Sequence, residues 1–418
     1  MKNEKSWDWH SEKKEIPVKE WQNRFNWVEE HSVSPDGEKI ASIVNTDEAE
    51  FSVCMNGNIW EETFEKAWCL RFLPDGRLCV LASNDEEWTV CVDGTFWETW
   101  FDYIWDLQFT PDGSFVAAAV QKDGQYGMSV NDKAWDSFYE NISGAVLSSQ
   151  GTSAAVVQVD PLGQADIEGF NKGIFAVALN GIAQPEKFMN IWDLAFDSKG
   201  EQIASSIRKN RLDYSISKNS RIWEKNFQFS WKPEFINKGA SVIAPVRQGG
   251  KWLLFKDSVP FWDKSYEQLG KLAIHGDGQK IAAIVSNAYG KWTVSENDKI
   301  WDFHCDSMIS ELFYSDNGSL LIAIFKNQGY WDVAVNGKPW NIKADKLWNP
   351  VISSNNEILA TRMEKDGTFF LVVNGKVYQE PFDMIFEPKI SPNNDKILLK
   401  AMKDGIYLRQ ILSLEKVL

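Results

Sequence analysis

Histidine is scarce in this chain of 418 residues: there are four, His10, His31, His275 and His304, and no two share the i, i+4 spacing of a helical metal site. Metal catalysis therefore has little to stand on. Cysteine is nearly as rare, with five residues and no CxxC or CxxCH. That argues against a disulfide framework, a zinc knuckle or attached haem. No apolar run approaches the ~18 residues of a membrane span. The start, MKNEKSWDWHSEKKEIPVKEW, has no apolar core of a secretory signal. The expected location is the cytoplasm, including a peripheral position at the inner face of a membrane. Positive charge is in deficit, with 44 Lys and Arg against 59 Asp and Glu and a net charge of −15. Such a chain repels a nucleic-acid backbone and attracts basic partners. Neither a G-x-S-x-G elbow nor a phosphate-cradling G-x-x-x-x-G-K-[ST] occurs.

What is present is a repeat. A turn ending in Gly37 recurs at Gly76, Gly113, Gly151, Gly200, Gly239, Gly278, Gly318, Asn356 and Asn394, a period of about 39 residues repeated ten times. Each unit offers four strand-like stretches, A to D. In the third unit they are Ile104 to Thr110, Phe115 to Gln121, Tyr126 to Asn131 and Trp135 to Tyr139. The C–D turns Asn56-Gly57, Asp93-Gly94, Asn336-Gly337 and Asn374-Gly375 supply residues that accept positive φ. On C, large residues such as Phe51, Trp88 and Trp331 alternate with small ones such as Ser52 and Cys54. On D, Trp21, Trp60, Trp97, Trp135, Trp223, Trp262, Trp301 and Trp340 recur, so most tryptophan is expected to be architectural.

The last unit has A, B and C but no following D, whereas Glu20 to Phe25 matches a D stretch near the start of the chain. This predicts a β-propeller of ten four-stranded repeats closed by the N-terminal strand, with residues 1–15 a tail and 16–418 the propeller. One ten-bladed ring is favoured; two five-bladed rings are the alternative.

The Pro-Asp-Gly turns preceded by Phe72 or Phe109 resemble those of TolB-type propellers and, more distantly, WD-type repeats. More narrowly, Trp7-Asp8-Trp9, Phe25-Asn26-Trp27-Val28-Glu29-Glu30 and Val33-Ser34-Pro35-Asp36-Gly37 resemble the tryptophan-rich cytoplasmic D subunits of the Tmc transmembrane redox complexes of sulfate-reducing bacteria. That resemblance implies an accessory subunit without cofactors of its own. Its partners would be membrane redox subunits, a cytochrome b and an iron-sulfur protein among them.

Three constellations have residue types suited to chemistry or binding. Cys54, Cys69, Cys79 and Cys91 have the number of thiolates an iron-sulfur cluster needs, yet Cys54, Cys79 and Cys91 occupy slots held by small or aliphatic residues elsewhere. Between D and A an aromatic is usually followed by an acid, giving Glu65, Asp102, Glu140, Glu267 and Asp383, with Asp345 in the same slot. Each acid either caps its own connection or joins an electronegative dock for a basic partner. The fourth unit carries an insertion, 158–173, with Asp160, Asp166, Glu168 and Phe170 as candidate contacts, and Trp7 and Trp9 are further candidates. The expected function is a non-catalytic scaffold without catalytic, metal or cofactor residues; the alternative is a propeller hydrolase or lyase.

Overall fold

The turn chemistry has a second use that explains why each repeat closes on itself. The Asn or Asp at the C–D turn takes positive φ and turns its Oδ1 onto an N–H at the start of strand B. Asn56 does so to Ile40, Asp93 to Leu78, Asn131 to Val116, Asn180 to Ser153, Asn219 to Ile203, Asp257 to Val242, Asn297 to Ile281, Asn336 to Leu321 and Asn374 to Leu359, all at 2.8–2.9 Å. One short side chain thus fixes the hairpin and satisfies a backbone donor in nine repeats.

The computed structural model describes residues 4–164 and 166–417, so residues 1–3 of the expected tail and Ala165 of the insertion lie outside the described residues. It contains ten antiparallel sheets in A-B-C-D order, and the chain is a ten-bladed β-propeller. Blade 1 is Trp27–Val33, Ile40–Asp47, Glu50–Met55 and Asn58–Ile59. Blades 8, 9, 10, 1 and 2 form one compact unit and blades 3 to 7 the other. In each unit the core lies between successive sheets, whose B strands are buried on both faces, as Val116 to Val120 are, while the A and D strands alternate with solvent.

Blade 10 takes its outer strand from the start of the chain, with Lys13–Ile16 pairing antiparallel to Ile406–Ser413. The expected strand Glu20 to Phe25 is instead a short helix, Lys19–Arg24. Trp21 still fills the tryptophan slot. Its indole lies against the Gly57 turn of blade 1, as Trp60 lies on Gly94, Trp135 on Gly181 and Trp340 on Gly375. The pattern found the right neighbour and the wrong backbone, because a helical turn can present an indole to the same place as a strand.

Strand D is also shorter than its sequence signal. In blade 3 regular pairing covers Lys133–Ala134; Trp135 then donates its N–H to Met128 O at 2.9 Å and the chain bows out before bridging again at Tyr139. The small C-strand residues satisfy the bowed segment. Ser52 Oγ donates to Glu62 O at 2.8 Å and Ser215 Oγ to Lys225 O at 3.0 Å. In blade 8 the slot holds Asp332, whose carboxylate accepts instead from the N–H groups of Asn341 and Ile342.

Candidate functional site

Every A strand is interrupted near its middle. In blades 1 to 5, 7 and 8 the register shifts, between Glu29 and Ser32 in blade 1 and between Trp192 and Ala195 in blade 5, for example. Glu30, Cys69, Asp106 and Asp193 take positive φ there, a conformation that non-glycine residues adopt at a cost. In blades 6, 9 and 10 a proline breaks the strand outright, since Pro233, Pro350 and Pro388 carry no N–H for the ladder. Near the interruptions polar side chains of strands A and B reach the backbone of the next blade. Glu30 Oε2 accepts from Leu70 N at 2.7 Å, Gln108 Nε2 donates to Ala145 O at 2.9 Å, Ser206 Oγ to Trp231 O at 2.8 Å and Arg362 Nη1 to Ile385 O at 2.7 Å.

Around Pro233 the bulge of blade 5 and the break of blade 6 bring together Asp193, Lys232 and Glu234. Burial pushes both carboxyls up, opposed by Lys232, whose Nζ lies 3.3 Å from Glu234. Beside them Trp231 stacks on Trp252 at 5.6 Å and 8°, and Trp192 packs against Tyr214 and Phe229. Sequence reasoning missed this group. Its signal was the proline two residues after an A-strand aromatic, repeated at Trp348-Asn349-Pro350 and Phe386-Glu387-Pro388.

Four of the six D–A acids divide by side-chain length. Asp345 Oδ2 accepts the N–H of Asp366 and Asp383 Oδ2 that of Asp404, both at 2.7 Å, so each fastens the B–C hairpin of its own blade. Asp306 does the same to Gln328, a member of the series hidden because Cys305 holds the aromatic position. Glutamate, one methylene longer, engages side chains: Glu140 accepts from Gln158, and Glu267 pairs with Lys251. Glu65 uses its backbone N–H on Ser83 O and Asn84, and Asp102 is exposed. The aspartates at 345 and 383 thus have a structural use of their carboxylates.

The insertion is ordered around its own acids. Asp160 pairs with Lys187 at 2.7 Å, and Asp166 caps the helix Ile167–Lys172 by accepting from Gly169 N at 2.8 Å. Glu168 points to solvent and Phe170 is half-buried. Leu162 and Ile167 are held outward, 41% and 60% exposed. At the N-terminus Trp7 and Trp9 stack at 6.2 Å, and Trp9 is buried with its Nε1 donating to Glu4 O. Trp9 is therefore a packing residue, and Trp7 lies beside the Pro-Asp-Gly turns of blades 1 and 2.

The cysteines do not converge. Cys79 opposes Val92 while Val80 opposes Cys91, so adjacent register positions send the two thiols to opposite faces of blade 2. Burial pushes the Cys91 thiol up to about 12 and that of Cys79 higher still. Among the described residues no helix is long and apolar enough to cross a membrane.

No family model matches the chain, and no curated protein does. Among solved structures it is similar to the crystal structure of a eukaryotic initiation factor, at 13% identity over 91% of this chain and 90% of that one, with a TM-score of 0.45. The Dos1 propeller aligns at 12% identity over 93% and 92%, TM-score 0.34. The β-propeller domain of the trilobed protease from Pyrococcus furiosus aligns at 12% over 75% and 94%, TM-score 0.32.

Proposed function

We propose that the chain is a non-catalytic scaffold that binds partner proteins. The observation that carries this reading is the insertion of blade 4: two of its acids are used to order it, and its apolar Leu162 and Ile167 are thereby held in water on a rigid sheet. The narrower reading is an accessory subunit of a respiratory transmembrane electron-transfer complex at the cytoplasmic face. It is supported by the resemblance of Trp7-Asp8-Trp9 and Phe25 to Glu30, and its partners would be a cytochrome b and an iron-sulfur protein. Affinity purification of the tagged chain from native membranes, with mass spectrometry of what accompanies it, tests both levels. Leu162→Asp with Ile167→Asp should abolish partner recovery while leaving the melting temperature within ~2 °C. Recovery unchanged in that variant removes the insertion as the interface, and recovery of partners without redox subunits removes the narrower reading.

The hydrolase or lyase reading draws on one observation, the Asp193 and Glu234 carboxyls raised by burial beside Lys232. It predicts hydrolytic or eliminative turnover of a small or polymeric substrate that Glu234→Gln abolishes.

A further inference from the structure

The B-strand slot opposite the third core residue of strand C is small or aliphatic in eight blades. The pairs are Ile43 with Val53, Leu81 with Val90, Ala119 with Met128, Val156 with Val177, Ser206 with Ile216, Pro245 with Leu254, Ile284 with Val294 and Ile324 with Val333. In blades 9 and 10 it holds cations, Arg362 opposite Leu371 and Lys400 opposite Arg409. These are also the two consecutive blades whose A strands are broken by proline. The two departures meet at a cavity of about 560 Å³ lined by residues of blades 8, 9 and 10. That volume lies within the range of small-molecule sites.

We propose that this cavity binds a small organic carboxylate. The Arg362 guanidinium lies over the Trp348 ring at 4.7 Å, and its Nη1 is committed to Ile385 O. Its Nε–H has no acceptor, and no carboxylate pairs with the group among the described residues. Glu387, whose charge favours the guanidinium, already pairs with Lys389 at 3.0 Å. A chain of net charge −15 thus keeps an under-neutralised guanidinium at a cavity wall. A planar, weakly hydrated guanidinium favours the carboxylate fork, while Trp348, Leu347 and Pro388 offer apolar surface for the body of the ligand. Glu311 and Glu387 in the lining disfavour a phosphate dianion more than a carboxylate monoanion, and a phosphate would in addition call for backbone donors such as a glycine-rich loop provides.

The probe is 4-fluorobenzoate, followed by ¹⁹F line broadening on the full chain, with 4-fluorobenzamide as the uncharged isostere. Expected is saturable broadening by the benzoate at millimolar concentration and none by the amide. Arg362→Met should weaken binding at least tenfold and Arg362→Lys several-fold, since it keeps the charge and loses the fork, each variant being checked by its thermal melt. Equal response to benzoate and benzamide, no saturation up to ~10 mM, or undiminished binding by folded Arg362→Met would overturn the assignment. The comparison of the two probes uses the unaltered chain and decides the matter even where a variant is unstable.

Discussion

At the scale of single residues, two buried ionisable side chains, Asp332 and Lys400, stand where most other blades keep small or apolar ones, and each makes stability depend on pH in its own direction. Burial raises the Asp332 carboxyl from 3.8 to about 6, although N–H groups of Val333, Asn341 and Ile342 oppose the shift. Between those two values the folded chain holds a proton that the unfolded chain releases. The contribution is therefore fully present below pH 3.8 and lost as pH rises through 6. Asp332→Asn should lose stability relative to the parent at pH 4 and regain on the order of 2–3 kcal/mol of it by pH 7. Urea unfolding across that range measures the difference, and a flat difference would remove the role given to Asp332. Lys400 is the mirror case. Burial lowers its ammonium from 10.5 to about 7, with Lys389 adding repulsion and only Ser34 O and Pro35 O, both at 3.4 Å, near its Nζ. Between pH 7 and 10.5 the unfolded chain binds the proton more tightly, so stability rises with pH across that window. Lys400→Met should flatten the rise and stabilise the chain at pH 7 by a few kcal/mol, roughly what the shift represents. A steeper curve in Lys400→Met would contradict the account.

At the scale of elements, the closing strand shows what local signals carry. The Asn-Gly turns, the tryptophan slots and the missing last strand were legible, because turn chemistry and period-two alternation are local. The identity of the closing strand was not. Lys13-Lys14-Glu15-Ile16 has too few apolar residues to stand out, and its edge position leaves one side of its backbone without a ladder partner. The A-strand bulges were equally hidden, since Glu30, Cys69, Asp106 and Asp193 are not residues that announce positive φ. The D–A acids were visible as a series, but only the hairpin geometry separates Asp345 and Asp383, with carboxylates on backbone N–H groups, from Glu65 and Asp102. The latch is more than one strand. Arg409 donates to Asp36 O and Asp8 O and pairs with Glu38, Lys14 bridges Asp8 and Glu38, and Lys396 donates to Trp9 O. Removing residues 1–17 should therefore cost at least the roughly 3–5 kcal/mol of a buried tryptophan and expose the Ile406–Ser413 edge to association. Removing 1–7 should cost little. Calorimetry and light scattering on the two truncations check this; equal melting temperatures would rule the latch out.

At the scale of the molecule, stability in a repeat architecture is a sum of blade terms and nearest-neighbour terms, so an end that is latched should open with its neighbours. The cysteines offer a readout, because all five lie in the unit formed by blades 8, 9, 10, 1 and 2. Cys54 sits in the core beneath Val18, Trp21 and Tyr407, directly under the latch, and Cys305 lies at the junction before blade 8. Burial pushes both thiols up, that of Cys305 to about 12, whereas Cys69 is only half-buried. In the intact chain at pH 8, thiol labelling should modify Cys69 first, with Cys54, Cys79, Cys91 and Cys305 following together at the rate of opening of the unit. In the chain lacking residues 1–17, Cys54 should become reactive well before Cys305, since the neighbour term between blades 10 and 1 is weakened while blade 8 keeps its contacts. Mass spectrometry of the labelled peptides resolves the order. Simultaneous exposure of Cys54 and Cys305 in the truncated chain would mean that the unit opens as a single block and that the N-terminal strand stabilises it as a whole.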